Sequence, residues 1–331
     1  MTHMTLLEDD QLWAAAARLA GEAVMAIVPA REGANSRVFR VELRSATAAL
    51  KCYPVRPGDV RERLETEWAT LRFLSSRGLQ AVPTPIAYDR EMRLMLMEWI
   101  EGEGVTCHTP AELEDAIGFV LRISELSSAP EASTFGTASE ACFSTAEIIR
   151  QIDTRLADLR PHPLLVSFLA NELMPALAMA KSAATAGSAA QQQLAPEFRR
   201  LIPADFGFHN ALRQSDGRLR YVDFDYFGWD DPVKLTADFV LHPGMNLSAY
   251  DKQIFAGKMA GAVPEDEEFA ARLHRQLPLY AIRWALILLN PFRADRDGTA
   301  LTDESERLMA DRIEKARAMC KRAVEHVQAR D

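Results

Sequence analysis

The sequence carries two carboxylates and an amide at spacings that suit chemistry on a phosphate. Asn210 follows Asp205 by five positions, and Asp223 follows Asp205 by eighteen. Carboxylate and amide oxygens are hard ligands of the kind that Mg²⁺ prefers, and a carboxylate can also orient or deprotonate a hydroxyl group. Phosphoryl transfer from ATP needs these groups together with a cation on the phosphates. The three residues are therefore candidates for a phosphotransfer site.

The stretch "PADFGFHN" allows two registers for such a site. Its letters Asp205-Phe206-Gly207 could form the magnesium loop of a protein kinase, but a catalytic Asp and Asn should then lie roughly 15 to 20 residues upstream. Residues 181–200 contain neither residue type. If Asp205 is instead the catalytic carboxylate and Asn210 a metal ligand, a hairpin ending in a metal-binding Asp should follow. The stretch "ALRQSDGRLRYVDFD" satisfies this second register with Asp223.

A lysine and a glutamate that precede this site could complete it. Lys51 lies in "AALKCY", on the third predicted strand, from which a lysine can reach the α- and β-phosphates. The next predicted helix offers Glu67 as its ion-pair partner, with Glu65 as the alternative. The turn "REGANS" could cover the phosphates with backbone N–H groups, which we assign to Gly33, Asn35 and Ser36.

The elements that must position these residues fall into two groups. The first hundred residues show one amphipathic helix, "PGDVRERLETEWATLRFLSSRG", among β-rich runs. Helical patterns dominate after Thr109, which with Pro110 and Glu112 reads as a helix start with a capping box. Strands are predicted at 22–29, 36–43, 47–53, 84–89 and 92–99, helices at 144–159, 164–186, 231–240, 249–260, 265–289 and 302–329, and a hairpin at 211–224.

This order predicts an α+β, bilobal, protein-kinase-like fold. The small N-terminal lobe, residues 1–100, would be an antiparallel β sheet with one helix and would carry the ATP phosphate-binding elements. The larger, mainly helical C-terminal lobe, residues 101–331, would carry the catalytic loop, the metal loop and the substrate site.

The motifs resemble those of the aminoglycoside phosphotransferase and choline kinase family, a group of protein-kinase-like small-molecule kinases, over roughly residues 25–300. "PADFGFHN" is similar to the family's catalytic loop, and "VDFDYFGWDDPVKLTADF" is similar to its second motif. The resemblance implies that Asp205 is catalytic, that Asn210 and Asp223 bind Mg²⁺, and that Lys51 and Glu67 serve ATP.

Two further points follow from the resemblance. Asp238 matches the carboxylate that braces the family's catalytic loop, whereas Pro203 stands where the family usually has His, so this loop must be supported differently. "MLMEWIEGE" resembles the family's hinge, in which Met97 would border the adenine and backbone groups of Glu98 and Ile100 would pair with its edge.

The acceptor is harder to predict from the sequence. Asp225, Tyr226 and Trp229 follow the predicted metal ligand, and carboxylates interleaved with aromatic rings could hold a cationic amine by charge and cation–π contact. Arg283 and Trp284 lie on a later, apolar helix, which leaves an anionic or sugar-phosphate acceptor open. Aromatic residues after such a strand also commonly pack in the core.

Composition limits the partners and the location. A formal net charge of −9 argues against a general nucleic-acid binder, because such proteins neutralise phosphates with clustered Lys and Arg. The four cysteines show no zinc spacing and fit a reducing cytoplasm. The N-terminus lacks signal-peptide features, and no unbroken apolar run approaches the ~20 residues of a membrane span. We therefore expect a cytoplasmic protein with a small-molecule partner and no nucleic-acid or membrane partner.

The sequence thus predicts an ATP- and Mg²⁺-dependent phosphotransferase that moves the γ-phosphoryl group to a hydroxyl of an aminoglycoside, a choline-like amino-alcohol or a sugar. One alternative is a catalytically weak, nucleotide-binding pseudokinase. A less favoured one is a metal-dependent hydrolase that uses a cluster of Asp205, His209, Asp223 and Asp225. A protein kinase is disfavoured because the short segment from Asp223 to Asp238 leaves no room for an activation segment.

Overall fold

The computed structural model describes residues 9–32, 36–54, 61–186, 192–293 and 303–329. The chain divides into two compact units. The first, called the site unit below, comprises His3–Ser139 and Leu201–Gly228. The second, called the helical unit, comprises Met1–Thr2, Glu140–Arg200 and Trp229–Asp331. The finer lobe boundary after residue 100 stays a prediction.

A five-stranded antiparallel sheet forms the centre of the site unit. Its strands are β1 (Val24–Glu32), β2 (Arg37–Leu43), β3 (Thr47–Cys52), β4 (Pro85–Asp89) and β5 (Leu94–Glu98), in the spatial order β1-β2-β3-β5-β4. The five predicted strands are thus confirmed. Within the ladder, Lys51 of β3 lies opposite Val38 of β2 and Met95 of β5. This register places Lys51 at the middle of the sheet, where neighbouring strands limit its movement.

Two helices pack in this part of the chain, where the sequence predicts one. The helix α2 (Arg63–Ser76) is the predicted one, and α1 (Asp9–Ala20) is additional. The apolar side of α1 packs on the sheet in one buried cluster, formed by Leu12, Ala15, Ala16, Val41, Ala48, Leu50, Leu94 and Leu96. Alanine is a strong helix former but gives a weak hydrophobic pattern, so "QLWAAAARLA" shows little periodicity in sequence.

The remainder of the site unit positions the candidate catalytic loop, which contains Asp205, and the candidate metal loop, which contains Asp223. The helix α3 (Pro110–Glu125) begins at the predicted capping box, in which Thr109 Oγ1 accepts from the Glu112 N–H at 3.3 Å and Glu112 Oε2 accepts from the Thr109 N–H at 2.7 Å. The strands β6 (Glu103–Gly104), β8 (Ala211–Arg213) and β9 (Leu219–Tyr221) form a second sheet. The predicted hairpin is β8 and β9, and Gly217 turns it with a φ of +84°.

The helical unit is built around a long central helix. Its helices are α4 (Thr145–Ala157), α5 (Pro163–Phe168), α6 (Met174–Thr185), α7 (Pro232–Leu241), α8 (Ala249–Ala260), α9 (Phe269–Leu288) and α10 (Asp303–Gln328). α9 packs against α4, α6, α7 and α10, and its own apolar residues are largely buried. The strands β7 (Arg200–Ile202) and β10 (Gly228–Asp230) lie where the chain passes between the units.

One helical segment of this unit meets the length and composition of a membrane span. A π-helical turn, Leu169–Leu173, joins α5 to α6. The resulting segment, Pro163–Thr185, has 23 residues and is apolar enough to cross a bilayer. The criterion concerns length and composition only, and the core helix of a soluble protein satisfies it as well.

Candidate active site

The centre of the candidate site is a buried lysine held by two carboxylates. Lys51 Nζ lies 2.6 Å from Glu67 Oε2 and 2.6 Å from Asp223 Oδ1. The Lys51 side chain is 3% exposed and that of Glu67 1%, so this ion pair is shielded from water, whereas the Asp223 side chain is 34% exposed. Glu65, the alternative partner, instead accepts from Arg90 at 2.8 Å at the surface. The structure therefore brings together Lys51, Glu67 and Asp223, all within the site unit.

The electrostatics keep this lysine charged. Burial by itself would lower the pKa of Lys51, but Asp223 and Glu67 outweigh it and raise that pKa above its usual range. A buried ammonium group with two acidic partners is a fixed positive charge at neutral pH. Such a charge can attract and orient phosphate oxygens.

Glu67 also joins three elements through hydrogen bonds. Besides Lys51, its Oε2 accepts from the Tyr53 hydroxyl at 2.7 Å, and its Oε1 accepts from the Phe224 N–H at 3.2 Å. The carboxylate is 1% exposed, so these donors replace the water that it loses. Glu67 on α2 thereby fixes both β3 and the backbone next to Asp223.

Tyr53 was not identified from the sequence. It follows Lys51 by two positions, and residues two apart on extended chain point to the same side. That spacing was the available signal. Burial, followed by the neighbouring Glu67, raises the pKa of Tyr53 well above its ordinary value, so its hydroxyl keeps its proton and remains a donor.

The candidate catalytic loop is closed by hydrogen bonds from Asn210. Its Nδ2 donates to the Asp205 carbonyl oxygen at 3.0 Å, and its backbone N–H donates to the Gly207 carbonyl at 3.0 Å. The Asn210 carbonyl in turn accepts from the Val222 N–H at 2.9 Å, next to Asp223. The two candidate loops are therefore joined directly. Asp205 itself presents a carboxylate that is 44% exposed, with Oδ1 3.2 Å from His209 Nε2.

Backbone strain marks both loops. Ala204, just before Asp205, has a φ of +57°, and Asp223 has a φ of +73°. For residues with a Cβ atom this left-handed conformation costs about 1–2 kcal/mol each. Such strain is found preferentially at functional sites, where it fixes side-chain direction.

The donor set suits a hard divalent cation. The side-chain nitrogen of Asn210 donates to Asp205, which leaves the side-chain oxygen Oδ1 as the ligand atom. The Asp223 carboxylate is 34% exposed. An amide oxygen and a carboxylate are ligands that Mg²⁺ accepts. Asp225 lies deeper, and burial, together with the charge of Asp223, raises its pKa to about 8. Asn210 and Asp223 thus fit the predicted magnesium ligands, whereas Asp225 is a buried group behind them.

Two arginines lie against the aromatic ring that was predicted to bind a cationic substrate. The guanidinium carbons of Arg61 and Arg63 lie 5.0 and 5.4 Å from the centre of the Tyr226 ring. Arg61 also donates to the Tyr226 hydroxyl at 3.0 Å, and Arg63 lies 3.8 Å from Asp225 Oδ2. The positive charge that Asp225 and Tyr226 were predicted to bind is thus already supplied by the protein.

The other predicted substrate residues lie in the helical unit, where the two on α9 form hydrogen bonds. Arg283 is 3% exposed and donates to Asp238 Oδ1 at 3.1 Å and to Gln151 at 2.9 Å. Trp284 Nε1 donates to the same Asp238 oxygen at 2.9 Å. Trp229 is half-buried on β10. In this unit Asp238, whose side chain is 13% exposed, accepts from both Arg283 and Trp284, which explains an arginine in the apolar second half of α9.

The structure describes some of the remaining residues that were predicted to bind the nucleotide. Met97 and Ile100 are buried, and the Glu98 N–H donates to the Thr84 carbonyl at 2.8 Å, so that donor is engaged. The Glu98 side chain accepts from Arg220 at 2.9 Å. Ser36 is buried immediately before β2, whereas Gly33 and Asn35 lie outside the described residues.

Comparison with solved structures shows the fold. Spectinomycin phosphotransferase in complex with ADP and spectinomycin matches with a TM-score of 0.66 and 12% identity, covering 95% of this chain and 98% of that one. A choline/ethanolamine kinase family protein from Mesorhizobium loti matches with a TM-score of 0.56 and 19% identity, covering 97% and 99%. A ternary complex of an aminoglycoside phosphotransferase with AMP-PNP and hygromycin B matches with a TM-score of 0.58 and 16% identity, covering 95% of this chain and 98% of that one.

Comparison of sequences identifies the family. No curated protein sequence matches the chain. The family model described as "Phosphotransferase enzyme family" matches residues 26–242, a range that contains Lys51, Glu67, Asp205, Asn210 and Asp223. The resemblance to aminoglycoside phosphotransferases and choline kinases and the protein-kinase-like fold are thus confirmed. This chain belongs to the phosphotransferase enzyme family.

Proposed function

We propose that this protein transfers the γ-phosphoryl group of ATP to a hydroxyl group of a small molecule and needs Mg²⁺ to do so. The observation that carries the proposal is the double ion pair of Lys51 with Glu67 and Asp223, in the same unit as Asp205 and Asn210. A buried cation, an accessible carboxylate and two oxygen ligands are the groups that phosphoryl transfer requires.

The transfer step conserves atoms and charge. The acceptor oxygen forms a bond to the γ-phosphorus while the bond from that phosphorus to the β–γ bridging oxygen breaks, and ADP leaves with the electron pair. The hydroxyl proton passes to the carboxylate of Asp205, whose 44% exposure allows an acceptor to approach. Lys51 orients the phosphate oxygens and offsets their charge. Glu67 acts on Lys51 and has no role of its own at the reacting atoms.

Asn210 and Asp223 would hold the magnesium ion. The ion, when bound to them, would supply positive charge that offsets the charge of the phosphates. The backbone carbonyl of Asn210 accepts from the Val222 N–H, so the backbone segments that carry the two ligands are joined next to the left-handed Asp223. This preorganisation reduces the cost of assembling the site when the nucleotide arrives.

We propose that the acceptor is a hydroxylated small molecule and that its binding does not depend on a cationic contact with Tyr226. Arg61 and Arg63 already lie against that ring, and a further cation would meet like charge there. The relatives of similar fold include proteins named for spectinomycin and for choline, so both sugar-like and amino-alcohol acceptors are appropriate for a screen.

The test is transfer of labelled γ-phosphate from ATP with Mg²⁺ to a panel of aminoglycosides, amino-alcohols and sugars. With an acceptor found, Asp205→Asn should reduce kcat by roughly 10²- to 10⁴-fold, the usual contribution of a positioned base. Asp216→Asn is the matched control, because Asp216 lies at the exposed turn of the β8–β9 hairpin and pairs with Arg218. Unchanged transfer in Asp205→Asn would contradict the proposal, and nucleotide binding without transfer to any acceptor would favour the pseudokinase.

A further inference from the structure

In the candidate catalytic loop, Pro203 stands where the family resemblance leads us to expect a histidine. In the structure, the bond from Asn210 Nδ2 fixes the carbonyl of Asp205 and therefore only its backbone. The left-handed conformation of Ala204 directs the chain into this loop, again without contact to the carboxylate. Neither contact fixes the rotation of the Asp205 side chain.

A histidine later in the loop contacts the Asp205 side chain. His209, four residues after Asp205, places Nε2 3.2 Å from Asp205 Oδ1. An ionised carboxylate can only accept, so the bond requires an Nε2–H that donates from the imidazole. The doubly protonated imidazolium and the neutral Nε2–H tautomer both supply this donor, whereas the neutral Nδ1–H tautomer does not.

The turn that carries His209 is itself anchored. Phe208, which precedes His209, is 2% exposed, and its ring stacks on His108 with centroids 4.6 Å apart and an interplanar angle of 9°. Asn210, on the other side, is 5% exposed. Two buried neighbours thus fix the backbone of His209, and its own side chain is only 21% exposed.

We propose that His209 is a positioning residue for Asp205: its Nε2–H holds Oδ1 and so directs Oδ2 to the acceptor hydroxyl. This inference rests on the proposed function. One carboxylate oxygen is used for orientation, and the other is the oxygen that receives the proton. His209 would thereby supply the hydrogen bond to the catalytic loop that Pro203 cannot provide.

Three substitutions separate this role from simple packing. In His209→Gln, the amide nitrogen lies three bonds from Cβ, as Nε2 does in histidine, so it can donate to Oδ1. In His209→Asn, the nitrogen lies one bond closer to the backbone and cannot reach, and His209→Ala has no donor. Loss of a hydrogen bond to a charged group should lower kcat roughly tenfold to a hundredfold in the Asn and Ala variants.

The expected pattern is rescue by one variant only. His209→Gln should keep kcat within about fivefold of the wild-type value, since a neutral amide replaces the imidazole donor. The KM for ATP should change less than about twofold in all three, because an interaction made only with the reacting group affects kcat. Equal loss in the Gln, Asn and Ala variants, or wild-type kcat in all of them, would overturn the inference.

A parallel series with Asp205→Asn distinguishes this inference from the proposed function. If Asp205→Asn lowers kcat as expected and His209→Ala lowers the residual rate no further, both residues act on one step. If Asp205→Asn keeps wild-type transfer, the proposed function fails whatever the His209 variants do. If Asp205→Asn is inactive but the His209 variants match the wild type, only the positioning role is wrong.

Discussion

The hydroxyl of Tyr53 should contribute measurably to the stability of the candidate site, and Tyr53→Phe is the perturbation that isolates it. The side chain is 1% exposed, and the hydroxyl donates to Glu67 Oε2 at 2.7 Å. Phenylalanine keeps the ring and leaves no cavity, so only this bond is lost. A hydrogen bond to a charged group contributes about 1.5–3 kcal/mol, and Glu67 would retain two of its three donors. We expect the site unit to lose about 2 kcal/mol of unfolding free energy.

The same bond predicts a coupling between Tyr53 and Glu67. Glu67→Gln alone should cost about 3–5 kcal/mol, because it breaks a buried ion pair with Lys51. In that background the tyrosine would meet a neutral amide, whose hydrogen bond is worth only about 1 kcal/mol. Tyr53→Phe should therefore cost about 1 kcal/mol less in the Glu67→Gln variant than in the wild type. This exceeds the roughly 0.5 kcal/mol within which independent mutations add.

Native-state hydrogen exchange is the suitable assay, because the two units need not unfold together. Amides of β3 and α2 report the opening of the site unit, and their exchange gives its free energy. Tyr88→Phe is the matched control, since Tyr88 is 41% exposed and its ring contacts that of Trp68 in the same unit, with centroids 4.6 Å apart. That control should change the opening free energy by less than about 0.5 kcal/mol. A Tyr53→Phe effect no larger than the control, or strict additivity with Glu67→Gln, would refute the reasoning.

Two further predictions concern other parts of the chain. Arg283 and Arg155 outweigh the effect of burial and lower the pKa of Glu140 to about 2 from an unfolded value of about 4.5. Because the folded pKa is lower, the stabilisation is complete above pH 4.5 and is lost as the pH falls towards 2. With 36% exposure and the screening that this brings, Glu140→Gln should cost about 1–2 kcal/mol at pH 7 and nearly nothing at pH 2 in urea unfolding, and a difference that does not vary with pH would contradict the assignment. Gly228→Ala should destabilise the site unit by about 1–3 kcal/mol, because a Cβ there would lie 2.6 Å from the Ala138 nitrogen and 2.6 Å from the Gly136 carbonyl oxygen. Gly136→Ala, with no atom within 4 Å of an added Cβ, is its control, and equal melting temperatures for the two variants would exclude the close approach as a cause.

The elements that could be predicted from the sequence are those specified by local patterns. Alternating β-branched and apolar residues gave the five strands, and the spacing of Thr109 and Glu112 gave the start of α3. α1 was missed because its core contacts are made by alanines, which carry little hydrophobic contrast. Local signals thus predicted elements when large side chains or caps defined them.

The candidate site was predictable where a spacing carries the chemistry, and was not where side chains meet across the chain. The structure brings Lys51 to Asp223 over a separation of 172 residues, and only motif order could indicate that pair. The arginines against Tyr226 left no spacing pattern, and the two-residue step from Lys51 to Tyr53 indicates only that the two side chains share one side of the chain. Both contacts depend on how α2 packs beside β3 and the loop. Likewise, Arg283 reads as a binding residue in sequence, because the buried partner Asp238 becomes apparent only in the fold.

The most direct test of the central claim is to follow the fate of the γ-phosphate by ³¹P NMR, with ATP, Mg²⁺ and an acceptor found in the screen. The account predicts stoichiometric ADP and a phosphate ester of the acceptor in the wild type and in Asp216→Asn. It predicts no ester when Mg²⁺ is chelated and a rate lowered by roughly 10²-fold or more in Asp205→Asn. Release of inorganic phosphate alone, or ester formation at the wild-type rate by Asp205→Asn, would contradict it.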